Sequence, residues 1–436
     1  MNDFSGPARS AGGSDYVCLD TEMRIGTIKL RSGMLLRRFL SRVRALCRLW
    51  IGWPLVLLPL RRILPAVVGM SALIIFTGCG KFFPPQTGGS GGGGTGGTSG
   101  DYIYAGNLGT NPLTVAGFSL ANNALSVISG SAWQVASEPT ALAITPNDVY
   151  LYMGSTAGGI YVYTLGSNGA ISLGNGGAPV ATGVAPSVLR VDSTGNWLIG
   201  ADSYAGTAYV FQIGNGGVLT QISSSVVTLN ASNPAIDLEI VPNNNYVFVS
   251  CGTGGIYTLS FDSSNGDLAQ VNGVLNPKQN GDADNGMAIS PSGQYLFAAE
   301  TGIGAVRVMS ISNNGVLTEL STSPIKTGTG AYAVLVDSTG SYVYVANRTQ
   351  NNISAFLLSS TGALTAISGS PFATGTLPVA MVEDKTKTYI AVLCEGGGPD
   401  LEIFQFNGST AGALEKLTTA TTGTDPTVAG SLAATH

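Results

Sequence analysis

The sequence predicts an all-β fold, a seven-bladed β-propeller of four-stranded blades, running from residue 101 to residue 436. Three observations carry this. A β-rich run opening on an aromatic recurs seven times, at Tyr102, Tyr150, Trp197, Tyr246, Tyr295, Tyr342 and Tyr389, spaced 48, 47, 49, 49, 47 and 47 residues apart. Periods of this size with several short strands each mean blades arranged around an axis. Turn chemistry precedes most of these aromatics: TPND at 145–148, DSTG at 192–195, VPNN at 241–244, SPSG at 290–293 and DSTG at 337–340. Asp, Asn, Pro and Gly preset or tolerate the φ values of tight hairpins. The stretch at 384–387, DKTK, alone lacks both Gly and Pro. Finally, 44% hydrophobic residues, 61 glycines and only 10% charge describe a core-forming chain of short strands and turns.

Each repeat contains four strand signals. An innermost strand, often opened by proline (Pro139, Pro186, Pro234, Pro378, Pro426), precedes the aromatic strand. An alternating third strand follows, as in GIYVYTL (159–165), AVRVMSI (305–311) and ISAFLL (353–358). A fourth comes after Gly-Ala-Leu or Gly-Val-Leu in most repeats. The chain enters the pattern at a second strand and ends on a first one, PTVAGSLAA after Asp425. The last strand is therefore expected to complete the blade begun at residue 101, which removes free sheet edges.

The segment before the repeats reads differently. Residues 1–78 hold eleven of the 20 Lys+Arg and four of the 25 acids, about +7, and the remainder carries about −12. A phosphate-backbone binder needs a clustered basic surface, so nucleic acid is not an expected partner. Residues 63–76, ILPAVVGMSALIIF, are apolar and follow Arg61-Arg62. That is a signal-peptide layout, short for a membrane span. It ends in FTGCG, which resembles the bacterial lipobox with Cys79 as the lipidated residue, although Phe76 stands where leucine is usual. The alternative is an uncleaved anchor. Residues 79–100 include GGSGGGGTGGTSG, which reads as a flexible tether. The expected organisation is an extension and signal peptide (1–78), a tether (79–100) and the propeller (101–436), exported and anchored at the cell envelope, on its periplasmic face or outer membrane.

The strings SPSGQYLF (290–297), DSTGSYVYVAN (337–347) and SGSPFATGTLP (368–378) resemble the bacterial lactonase-type propeller family. It includes 6-phosphogluconolactonase-like proteins and YVTN-type repeats. The resemblance covers about 101–436 and implies seven blades with a site where strands converge on the central channel. Lactone-hydrolysing members are associated with His, Arg and Glu side chains there. The single histidine here is His436, the last residue, so the histidine part of that pattern is missing.

No Ser-His-Asp or Cys-His arrangement is available within the repeats. Cys251 and Cys394 lie three blades apart at equivalent positions, too far for a disulfide. They are expected as free buried thiols, and no zinc cluster is predicted. The loop 275–286 contains Asp282 and Asp284, but its spacing departs from calcium-loop geometry. No metal or cofactor is expected.

Two constellations remain. Counting back seven from the aromatics gives Ala143, Arg190, Glu239, Ala288, Leu335 and Val382. Arg190 and Glu239 thus fall on adjacent blades, with Asp237 on the same face as Glu239. They are expected to meet at the channel wall, as a ligand or carbonyl-polarising site or as an ion pair filling the channel. Counting forward five gives a second ring, in which Asn107, Asp202, Glu300 and Asn347, with neighbouring Arg348, are expected either at a ligand mouth or bonded to loop backbone. The residues favour an envelope-anchored binding module for a small molecule, glycan or protein, with lactone hydrolysis as the alternative.

Overall fold

The computed structural model describes residues 100–436, apart from 109–111, 156, 203, 230–232, 280 and 423–427. Cys79, the apolar segment 63–76 and the glycine-rich tether lie outside the described residues. Among the described residues no helix is long and apolar enough to cross a membrane.

The strands form seven antiparallel sheets. Blades 2 to 7 use consecutive strands, beginning with Ala141–Ile144, Pro186–Val191, Asp237–Ile240, Asp284–Ile289, Ala331–Val336 and Pro378–Glu383 as their innermost members. Blade 1 is composite. Its second to fourth strands are Tyr102–Leu108, Thr114–Ala121 and Ala124–Val127, and its innermost strand is Val428–Ala434 from the far end of the chain. That strand pairs antiparallel with Tyr102–Leu108, from Ile103 opposite Ala434 to Leu108 opposite Val428. The expected closure is what the fold shows. Among the described residues, four blades carry one feature absent from the sequence reading, a two-residue strand pairing with the third strand beyond the fourth, as at Ile325–Lys326.

The core is divided among the gaps between blades. Each of seven apolar clusters draws on two neighbouring blades, such as Val188, Ile199 and Val210 of blade 3 against Leu238, Val249 and Leu259 of blade 4. Period-two alternation sends successive side chains to opposite faces of each sheet, so every blade contributes to two clusters, one from each face.

The recurring aromatics stitch these gaps. The Tyr102 hydroxyl donates to the Ser167 carbonyl at 3.0 Å, Trp197 Nε1 to Ser263 at 2.9 Å and Tyr295 to Ser360 at 3.1 Å, each in the turn before the next blade's fourth strand. Three of the hairpins that precede the aromatics are ordered by a buried carboxylate. Asp192 Oδ1 accepts the backbone N–H of Asn196 and Trp197 at 2.9 and 2.8 Å, and Asp337 and Asp384 do the same in blades 6 and 7. In the DKTK hairpin Lys387 adopts φ +60°, where Gly195 and Gly340 have φ +73° and +69°.

Candidate functional site

The seven innermost strands surround a central cavity of about 480 Å³. Strand register places Ala143, Arg190, Glu239, Ala288, Leu335 and Val382 at one level, opposite Tyr152, Ile199, Phe248, Phe297, Tyr344 and Ala391. Ala433, opposite Tyr104, completes the ring in blade 1. Two of the seven positions are charged, and they are neighbours.

Arg190 joins the expected partners. One terminal nitrogen lies 2.8 Å from Asp237 Oδ1 and 3.1 Å from Glu239 Oε1, and the other donates to the Leu189 carbonyl at 3.2 Å. Asp237 is fixed from the next blade as well, since its Oδ2 accepts the Met287 N–H at 2.8 Å. Blades 3, 4 and 5 are thus linked through one carboxylate. The Arg190 side chain keeps 39% exposure, which within this cavity means access from the channel. Removal from water, with Asp237 adding repulsion, outweighs the pull of Arg190 and raises Glu239 well above the usual carboxylate range. The group can hold or release a proton near neutrality, accept hydroxyl hydrogen bonds on its carboxylates and offer guanidinium N–H to a carbonyl.

The second ring is arranged differently from a ligand mouth. Asn107, Asp202, Glu300 and Asn347 are all buried, and their polar atoms hold the loops between blades. Asp202 Oδ2 accepts the Ala185 N–H at 2.6 Å, while Oδ1 accepts those of Tyr204 and Ala205 at 2.7 and 2.8 Å. Asn347 Oδ1 accepts from Gly328 at 2.9 Å, and Asn107 Nδ2 donates to the Thr422 carbonyl at 2.9 Å. The reason is that strand ends leave backbone N–H and C=O groups without ladder partners, and a buried polar side chain satisfies them. Arg348 stands apart. It bonds Glu395 Oε2 through Nε at 3.0 Å and through a terminal nitrogen at 2.5 Å, and lies 5.7 Å from the Tyr332 ring centre. Tyr332 also lines the cavity, so this pair sits at the loop end of the channel.

Glu300 belongs to a buried cluster around Arg307, which is 2% exposed. Arg307 lies 3.0 Å from Asp284 Oδ2 and 3.1 Å from Glu319 Oε2, with Glu300 at 3.9 Å. Burial pushes Glu300 up to about 7 and Asp284 to about 6, in spite of the arginine. Asp282 accepts the N–H of Ala283 and Gly302 at 2.8 and 2.6 Å. The two aspartates of the loop 275–286 therefore serve Arg307 and the loop backbone. Cys251 and Cys394 are free and buried, as expected, and burial raises both thiols to about 12.

Two channel features escaped the sequence reading. Tyr332 carried no periodic signal. His436 reads in the sequence only as the last residue, yet it lines the hairpin end of the cavity. Its backbone N–H donates to Asp148 Oδ1 at 2.9 Å, with the ring Nδ1 3.4 Å from the same oxygen. Lys385 of blade 7 reaches the other Asp148 oxygen at 2.6 Å. Closure of the ring by the last strand was itself the signal, because any residue following an innermost strand falls at the channel rim.

Comparison with known proteins agrees with this architecture. A putative 6-phosphogluconolactonase from Bacteroides fragilis is similar at TM-score 0.64 and 18% identity, over 78% of this chain and 98% of that one. The periplasmic gluconolactonase of Pseudomonas aeruginosa is similar at TM-score 0.63 and 15% identity, over 78% and 99%. These identities speak for the fold alone. No curated protein sequence matches the chain. The family described as lactonase, 7-bladed beta-propeller, matches residues 102–429, and with seven blades, a charged channel and a closing strand in place, the chain belongs to that family.

Proposed function

We propose that this protein is an exported binding module, lipid-anchored at Cys79, whose propeller takes a small polar ligand into the central channel. The observation that carries the reading is the Arg190–Asp237–Glu239 group, held rigidly by three blades yet open to a cavity of about 480 Å³. Carboxylate oxygens and guanidinium N–H groups on one wall suit a polyol or a lactone. A glycan or a protein loop inserted into the channel would use the same groups. The lipobox-like FTGCG and the basic flank before the apolar segment support the anchor, and the P. aeruginosa relative is described as periplasmic. Titration calorimetry of the purified chain with D-glucono-δ-lactone and simple polyols tests the binding. Removing one member of a hydrogen-bonded charge group weakens ligand binding by ~2–5 kcal/mol, so Arg190→Ala should lose at least about tenfold in affinity. Failure of these and of alkyl lactones to bind, or binding unaffected by Arg190→Ala, would overturn the reading. Incorporation of labelled fatty acid, lost on Cys79→Ser, tests the anchor.

A second reading, lactone hydrolysis, is favoured by one observation. Glu239 has its carboxyl held high beside a guanidinium, as a general base next to a carbonyl-polarising group would be. Acid release from a lactone panel, followed by pH-stat and abolished by Glu239→Gln, would establish it. Absence of turnover leaves binding as the function.

A further inference from the structure

Opposite the charged wall the channel is apolar. Arg190 belongs to blade 3, and Asp237 and Glu239 to blade 4. Across the ring, blades 6, 7 and 1 present Leu335, Val336, Met381, Val382 and Leu432, all partly exposed and all lining the same cavity. Their flanks pack into the clusters between blades, while their remaining surface faces the channel. A cavity wall of this kind gains free energy only when apolar ligand surface covers it.

The charge balance narrows the choice further. Arg190 is the only Lys or Arg among the described residues lining the cavity, and two carboxylates already engage it. At the loop end Arg348 is committed to Glu395. A phosphate or carboxylate arriving here would meet a guanidinium already held by Asp237 and Glu239, and no other Lys or Arg among the described lining residues, which opposes anionic ligands.

We infer that the preferred ligand is an uncharged amphiphile, with a lactone or hydroxylated head at Arg190–Asp237–Glu239 and an alkyl or aryl part against the blade 6–7–1 wall. This rests on the channel being the binding site, and it sets the ligand class apart from phosphorylated sugar lactones.

The test compares δ-valerolactone with δ-decalactone, which share a ring and differ by a pentyl tail, alongside D-glucono-δ-lactone and 6-phosphogluconate, by calorimetry on the purified chain. Burial of CH₂ groups at ~0.8 kcal/mol each predicts that the tailed lactone binds at least about tenfold tighter than the bare ring. It also predicts that 6-phosphogluconate binds weakest. Val382→Thr, a near-isosteric change, should narrow the ratio between the two lactones. Equal affinity for both, or tightest binding of gluconolactone or 6-phosphogluconate, overturns the inference and leaves the channel reading standing. Failure of all four to bind overturns both.

Discussion

The phenol of Tyr389 donates a hydrogen bond to the side-chain oxygen of Asn123, 266 residues away in sequence. The bond joins blade 7 to blade 1. In the other gaps the aromatic lies over a glycine of the next blade's turn, as Tyr102 does over Gly169 and Trp197 over Gly266. Where the ring meets itself, Asn123 takes the turn with φ +63°, and its amide replaces the backbone acceptor. The same contact that spaces the blades therefore closes the circle.

The glycines beneath these rings should be intolerant of a methyl group. At Gly266, with φ +82°, an added Cβ would come within 2.4 Å of the Trp197 ring. Gly176 also has positive φ, at +62°, but nothing within 4 Å. Left-handed backbone costs a non-glycine residue ~1–2 kcal/mol, and overpacking adds ~1–3 kcal/mol. Urea unfolding should show Gly266→Ala losing about 2–4 kcal/mol and Gly176→Ala about 1 kcal/mol. Similar losses at both sites would remove the aromatic contact as the cause.

Asp202 offers a test of the second ring. Its carboxylate satisfies three backbone donors, those of Ala185, Tyr204 and Ala205. Asp202→Ala leaves them without that acceptor, and stability should fall by about 2–4 kcal/mol. Affinity for a channel ligand should stay within about twofold, because the carboxylate does not line the cavity. A binding defect with unchanged stability would return Asp202 to the ligand site.

Stability should fall as pH rises from about 4 to about 7. Glu300, at about 7, and Asp284, at about 6, are raised by burial. Across that window the folded chain keeps protons the unfolded chain has released, so folding weakens with each step upward and the penalty is complete above the folded values. Glu300 is 0% exposed and its Oε2 has no hydrogen-bond partner. Glu300→Gln copies the protonated form. Between pH 5 and pH 8 wild type should lose about 1–3 kcal/mol more than this variant. Parallel pH profiles would contradict the buried acid.

Removing residues 428–436 takes away the innermost strand of blade 1 and two alanines, Ala433 and Ala434, that pack into the clusters on either side. Calorimetry of the truncated chain should show no single cooperative transition. A peptide of that sequence, added in excess, should restore it by mass action. An unchanged transition without the strand would mean the ring is held elsewhere.

Much of this was readable in the residues because the repeat fixes register. Counting from the aromatics placed Arg190 and Glu239 at one level, and the strands pair accordingly. The DKTK hairpin shows that a missing glycine need not break a pattern, since the Asp384 carboxylate orders the turn around Lys387. The second ring was harder. A polar residue at a strand end looks the same whether it faces water or satisfies buried backbone; Asp202, Glu300 and Asn347 accept backbone N–H groups, and Asn107 donates to a backbone carbonyl. Arg307 and Tyr332 carry no periodicity, so their surroundings emerge only in three dimensions. Cys79 remains a reading of sequence alone.

The junction in blade 1 has a further consequence for how the chain can be rewired. Val428–Ala434 and Tyr102–Leu108 meet through hydrogen bonds and packing, and Thr435 Oγ1 lies 3.3 Å from the Gly100 carbonyl, so the two ends of the propeller are adjacent. Nothing about the circle requires its covalent break to fall there. A circular permutant with residues 100 and 436 joined by a short linker, and opened at the exposed Asn313–Asn314 turn, keeps every inter-blade cluster while moving the opening to blade 5.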